Sequence, residues 1–238
     1  MVDPKNRKKN LTGRWSWAGR LARLCLVLFL AICVVQLTLL LVWRIVPPTS
    51  TLMLARYALH RPVERQWVPL DRVSPHLVAA VLMSEDGRFC RHNGVDWPAM
   101  HGVLSAGGAQ GPSRGASTIA MQTAKNLFLW PQRSFLRKGL EIPLALAIDF
   151  AWPKRRVLEI YLNIAEWGDG IFGIEAASRR YFGKSAAALV AREAALLATT
   201  LPNPALRNPV RPTRKQIRLA AIVLRRVNDA GPWLDCLK

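Results

Sequence analysis

Glu85 and Asp86 form a carboxylate pair at the end of an apolar segment that opens after Ser74 and Pro75. Ser is a good N-cap and Pro a good first helical residue, so the segment reads as a helix from about Pro75 to Asp86. On that helix Leu77, Val81 and Glu85 follow one another at i, i+4 and i+8, which continues an apolar stripe into a carboxylate. An acid turned toward protein loses hydration, its pKa rises, and it becomes able to act as a general base near neutral pH. The competing reading is a helix end that has reached the surface, where acids are common.

A second cluster follows Ser117. Thr118, Gln122, Lys125 and Asn126 recur at i, i+4, i+7 and i+8, and Ile119, Thr123 and Leu127 form a separate apolar face. The polar stripe supplies hydroxyl, amide and amine donors without a carboxylate, which suits a bound anion. Its competing reading is a solvated face. Further on, Arg133 and Ser134 precede a helix on which Arg137 and Glu141 lie one turn apart. From spacing alone this pair reads as a surface salt bridge, worth about 0–1 kcal/mol.

The elements that must hold these residues are helical. Asp96 can cap a helix opening with Trp97 and Pro98, which fades into a glycine-rich stretch, Gly102 to Gly115, read as a gate beside the site. No Gly-Lys-Ser/Thr ending is present, so it is not a P-loop. Ser117 is expected to cap a helix running to about Leu129. Pro143 inside the Arg137 helix removes a backbone donor and predicts a kink. Helices are expected from Lys154 to about Ala165, from Ile174 to Arg180, from Ser185 to about Thr200, and from a Thr213 cap to near Gly231. Arg65 to Val73 reads as a short extended piece. The soluble part is mainly α, without strand-rich regions or repeats.

The 238 residues carry a formal net charge of +19. Lys5, Arg7, Lys8, Lys9, Arg14, Arg20 and Arg23 face only Asp3 in the N-terminal tail, and the remainder is basic too. Nucleic acid, an anionic membrane surface and a phosphorylated lipid are the partners such charge attracts. No zinc finger, RNP aromatic pair or basic zipper is present, which argues against nucleic acid. From Leu24 to Trp43 the chain runs about twenty residues without a charge, enough to span a hydrocarbon core of about 30 Å. The basic flank places the tail in the cytoplasm, and Trp15, Trp17 and Trp43 sit near the two interfaces. A cleaved signal peptide is the rival reading, but its apolar run is shorter, about 7–15 residues.

The segments read as a basic tail (1–23), a transmembrane helix (24–46) ended by Pro47 and Pro48, a membrane-proximal piece (47–72) and a catalytic domain (73–238). Of four cysteines, Cys25 and Cys33 fall in the apolar helix; Cys90 and Cys236 are too far apart in sequence to judge as a bridge. Cys90, His92 and His101 match no zinc spacing.

Four groups of residues together resemble a known family. They are Glu85, Asp86, Phe89, His92, Gly94 and Asp96; Gly115, Ser117, Thr118, Ile119, Gln122, Lys125 and Asn126; Arg137, Lys138, Glu141 and Ala145; and Leu158, Glu159, Tyr161, Leu162, Asn163 and Gly168. In this order, from about Val73 to Pro204, the chain resembles the monofunctional biosynthetic peptidoglycan glycosyltransferases. These are relatives of the glycosyltransferase modules of class A penicillin-binding proteins.

The resemblance implies a lysozyme-like helical domain that polymerises lipid II through β-1,4 bonds, with a lipid-pyrophosphate-linked glycan strand as donor and the lipid II 4-hydroxyl as nucleophile. It implies Glu85 as general base and Glu141 as a second carboxylate that positions a neighbour or binds a cation. Lys125, Arg133 and Arg137 are implied to hold the donor pyrophosphate, with Ser117, Thr118, Gln122 and Asn126 in the same cleft and Asp86, Phe89 and His92 in the substrate-binding set. It requires no cofactor, though a divalent cation (Mg or Mn) is compatible with it. The implied partners are the membrane and other cell-wall synthesis proteins, with no nucleic acid, and the implied location is the bacterial inner membrane, catalytic domain in the periplasm. Pro143, and Asp149 where many relatives carry Glu, depart from the family pattern. A lysozyme-like enzyme that cleaves peptidoglycan, or a non-catalytic scaffold of a wall-building complex, are the alternatives.

Overall fold

The computed structural model describes residues 4–105, 116–132 and 134–237, and the expected gate lies mostly outside them. The chain divides into two compact units, Met1–Ile45 and Val46–Lys238. The first contains helix α1 (Pro4–Trp43), longer than the apolar run alone and ending ahead of Pro47. Its stretch Trp17–Trp43 reaches a mean hydropathy of 3.0 and is, among the described residues, the one helix long and apolar enough to cross a membrane. It is consistent with a single-pass anchor.

The second unit is built on helices whose starts are written into the chain. Ser50 caps α2 (Thr51–Ala58), accepting from Met53 N. Then come β1 (Glu64–Arg65) and a 3-10 turn, Leu70–Arg72, where the sequence read one extended piece. Helix α3 (Pro75–Glu85) carries Leu77, Ala79, Ala80, Val81, Leu82 and Met83 buried, so it is enclosed on all sides and forms the centre of this unit. Ser74 precedes it but does not cap it: its hydroxyl donates to Leu189 O at 2.7 Å.

Helix α4 (Trp97–Ser105) starts at Asp96, whose carboxylate accepts from Ala99 N at 3.1 Å. Helix α5 (Ile119–Phe128) starts one residue later than the sequence predicts, because Thr118, not Ser117, is the cap. Two long-range bonds decide this: Thr118 Oγ1 donates to Gly94 O, and Asp86 Oδ2 accepts from Ile119 N at 2.9 Å. Ser134 caps α6 (Phe135–Ala151), which continues through Pro143.

Helix α7 (Lys154–Ile164) buries Val157, Leu158, Tyr161 and Leu162 as its periodicity predicts. Two of its polar residues tie down the stretch ahead of α3: Asn163 pairs with both N and O of Val68 at 2.8 Å, and Glu159 accepts from Leu70 N at 2.9 Å. Strands β2 (Glu166–Gly168) and β3 (Ile171–Phe172) join β1 in a small sheet of order β1-β3-β2, which helical periodicity did not reveal. β1 runs parallel and β2 antiparallel to β3.

Helix α8 (Ile174–Phe182) follows. The expected helix Ser185–Thr200 is instead a 3-10 turn, Ala186–Ala188, and helix α9 (Ala191–Ala198). The interruption has a tertiary cause: Ala186 N donates to Glu175, Ala186 O accepts from Ser74 N, and Leu189 O accepts from Ser74 Oγ. Those groups are unavailable to a continuous helix. Thr213 caps α10 (Arg214–Asn228) as predicted. Helices α9 and α10 pack on α3, and α6 and α7 pack on α5.

Cys90 and Cys236 form a disulfide with a Cα–Cα distance of 5.4 Å across 146 residues of sequence. The distance in sequence concealed a pair the fold brings together, and it takes Cys90 out of any metal cluster.

Candidate active site

Glu85 ends α3 where α5 passes it. Gln122 Nε2 donates to Glu85 Oε2 at 3.1 Å and Ser84 Oγ donates to Oε1 at 3.4 Å. Burial pushes the Glu85 carboxyl above the usual carboxylate range, opposed by the bonds from Gln122 and Ser84 and by the charge of Arg207. Only part of the residue is in contact with solvent, so it is a desolvated acid that still reaches the surface beside α5. That is the condition for a base working near neutrality.

The loop after Glu85 is braced from beneath. Asp86, 6% exposed, accepts from His92 Nε2 and from Ile119 N, both at 2.9 Å, so its two oxygens fasten the loop to the start of α5. Phe89 is buried beneath Lys154, whose ammonium lies 4.8 Å from the ring centroid and donates to His92 O at 2.6 Å. Asp149 pairs with the same Lys154 at 2.6 Å. Gly94 has a φ of +81°, and an added Cβ would lie 2.5 Å from Ala145 O, so this loop can approach α6 only with glycine there. Asp86, Phe89 and His92 thus turn inward and hold the loop that ends α3.

The other wall carries cations. Arg137 donates to Glu141 and, through Nε, to Gln132 O at 2.8 Å. Lys138 donates to Ser117 Oγ and to Glu141 Oε2, the latter at 2.8 Å. Arg137 is 8% and Glu141 3% exposed, so the pair is buried and the surface reading of it is corrected. Helix α5, packed over α6, hides it.

Lys125 has no hydrogen-bond or ion-pair partner among the described residues. Burial pulls its amine below the ordinary lysine range; Glu141 opposes this, Arg137 and Lys138 add to it, and Glu85 opposes it. An under-solvated ammonium beside two further cations is a site that gains from an anion. Thr118 is buried at the head of α5, and Ser117 and Asn126 are half-buried at its two ends. Arg133 lies outside the described residues.

Lys138 and Tyr161 were named among the motif residues without a role in the site, and Arg207 was not singled out at all; the i, i+3 spacing of Lys138 to Glu141 was the signal for the first. Arg207, whose charge acts on Glu85 and which donates to Thr199 O at 2.6 Å, and Tyr161, which donates to Gln122 Oε1 at 3.2 Å, arrive from distant segments, and nothing in their local sequence tied them to Glu85. Among the described residues no group of three His, Cys, Asp or Glu could hold a metal ion.

A helical frame that sets one desolvated carboxylate against a cationic wall is suited to transferring a group from an anionic leaving group to a hydroxyl. The transglycosylase family model matches residues 52–228, and this chain belongs to that family. It is similar to the biosynthetic peptidoglycan transglycosylase of Brucella suis biovar 1 (strain 1330), 56% identical over 224 residues, covering 93% of this chain and 100% of the relative. The Rhizobium meliloti (strain 1021) protein of the same name is 52% identical over 234 residues, 94% of this chain and 98% of its own length. That of Rhodospirillum centenum (strain ATCC 51521 / SW) is 58% identical over 182 residues, 76% of this chain and 79% of its own.

Proposed function

We propose that this glycosyltransferase is a peptidoglycan polymerase that joins lipid II to a growing, lipid-linked glycan strand. The observation that carries the reading is the opposition of Glu85, desolvated and held by Gln122, to Lys125, a buried amine without a hydrogen-bond or ion-pair partner among the described residues. Glu85 takes the proton from the acceptor 4-hydroxyl as that oxygen bonds to the donor's anomeric carbon. The bond from that carbon to the diphosphate oxygen breaks, and its electron pair leaves with the polyprenyl diphosphate. A diphosphate departs as a stabilised anion and needs cations more than a proton, which Lys125 supplies beside the Arg137, Lys138 and Glu141 cluster. One base is then sufficient, where a glycoside hydrolase normally uses two carboxyls. A single displacement inverts the α-linked donor to a β-linked product.

No step is assigned to a divalent cation, because the oxygens of Glu141 are engaged by Arg137 and Lys138 and those of Asp86 by His92 and Ile119 N. The location we infer is the inner membrane, with the basic tail in the cytoplasm and residues 47–238 on the far side of it. The Cys90–Cys236 disulfide supports this, since such bonds persist in oxidising compartments. Wall-synthesis proteins are the partners such a location offers.

Incubation of the purified full chain with lipid II is the test. Polymer longer than the disaccharide unit is expected; fragments released from finished sacculi, with no polymer from lipid II, would overturn the reading.

A further inference from the structure

Tyr161 stands on α7 and is 1% exposed. Its hydroxyl donates to Gln122 Oε1 at 3.2 Å, and Gln122 Nε2 donates to Glu85 Oε2 at 3.1 Å. We propose that Tyr161 is a positioning residue for Glu85, acting through Gln122; this rests on the reading of Glu85 as the base.

The argument concerns the direction of the hydrogen bonds. An ionised carboxylate only accepts, so Gln122 must offer it the amide nitrogen, which turns the amide oxygen toward Tyr161. The phenol meets that oxygen with a proton. Burial, with the charges of Glu85 and Asp86, pushes Tyr161 well above the usual phenol range, so it keeps this proton wherever the enzyme works. Turn the amide over and its oxygen faces Glu85 Oε2, a repulsive pair unless Glu85 carries a proton, while the phenol proton loses its acceptor. A buried donor without an acceptor is costly. The chain from Tyr161 through Gln122 is therefore satisfied in full when Glu85 is ionised, and it selects the form that can remove a proton.

The other groups facing Glu85 do not duplicate this. Ser84 is its own neighbour at 3.4 Å. Asp86 is committed to His92 and Ile119 N, and its charge works against ionisation of Glu85. Arg207 and Lys125 favour ionisation by charge alone, without a bond to the carboxylate. From α10, Arg226 donates at 3.3 Å to Met83 O. Among the described residues, Tyr161 and Gln122 alone link α7 and α5 to the carboxylate by hydrogen bonds.

The test is the pH profile of kcat/KM for lipid II polymerisation, which reports the base of the free enzyme. Tyr161→Phe keeps the ring and removes one hydroxyl. The acid limb is expected to move upward by about one pH unit, about a tenfold loss of rate below the limb, with a far smaller change on the plateau. Gln122→Ala should move the limb in the same direction, and the Tyr161→Phe, Gln122→Ala double variant no further than Gln122→Ala. A lowered plateau with an unmoved limb in Tyr161→Phe overturns the proposal, since a purely structural role has that signature. Should Tyr161→Phe not fold, Gln122→Ala decides: an unmoved limb there refutes the chain. Glu85→Gln separates the two readings. If it still polymerises, Glu85 is not the base and both fall; if it is inactive while the limb of Tyr161→Phe stays in place, only the role of Tyr161 falls.

Discussion

Arg137 and Glu141, one turn apart on α6, are paired out of reach of solvent, with side chains only 10% and 3% exposed. Breaking such a pair from one side leaves a buried charge uncompensated, at a cost of about 3–5 kcal/mol, whereas an exposed pair costs about 0–1 kcal/mol. Glu141→Ala is therefore expected to lower the thermal midpoint by several degrees, and Arg137→Met with Glu141→Met to recover much of the loss. Calorimetry on the three variants checks this, and an unchanged midpoint for Glu141→Ala would restore the surface reading.

Glu85→Gln removes the proposed base while keeping the shape of the side chain. General base catalysis contributes about 10²–10⁴-fold, so polymerisation is expected to fall by at least about a hundredfold with lipid II binding still measurable. A gel assay for glycan strands together with a lipid-binding titration reads both quantities.

The same variant should be more stable than the parent. A carboxyl whose folded pKa lies above its unfolded one binds more protons when folded, so its contribution favours folding at low pH and is lost as pH rises through the folded value. Above that window the ionised Glu85 weighs against the fold and glutamine does not. Thermal melts at acid and neutral pH are expected to show Glu85→Gln gaining at neutral pH and the difference shrinking in acid.

Lys125→Met removes the buried ammonium that faces the Glu85 side of α5. Loss of one preorganised donor to a leaving anion costs about 10²–10³-fold, and kcat/KM should fall by that order. Lys125→Arg should restore part of it. The check is the rate of polyprenyl diphosphate release, and a loss under threefold for the methionine variant would remove Lys125 from the reaction.

Much of the helical frame was legible because it obeys local rules. The stripes of Leu77 and Val81 and of Ile119, Thr123 and Leu127 are buried as their spacing requires, and Thr213 and Asp96 cap where their side chains predict. The misread points are those where a distant partner outbid the local preference. Ser117 gives up its cap to Thr118 because Gly94 O and the Asp86 carboxylate come from another segment. The helix expected from Ser185 is broken by Ser74 and Glu175. In the cleft, residue types and spacing picked out Glu85, Gln122 and Lys125. The burial of Arg137 with Glu141, and the arrival of Tyr161 and Arg207 beside them, exist only once the helices have packed.

The bridge between Cys90 and Cys236 sets an order of events. Cys90 belongs to the short turn Phe89–Arg91, a few residues beyond Glu85, and its partner is made 146 residues later. The segment that frames the base thus remains an open thiol-bearing loop for as long as the ribosome takes to add those residues. It can be sealed only after Cys236 has been added, by an oxidant the chain then meets. Growth conditions that starve that oxidant would lower the fraction of sealed molecules without altering how much protein is made.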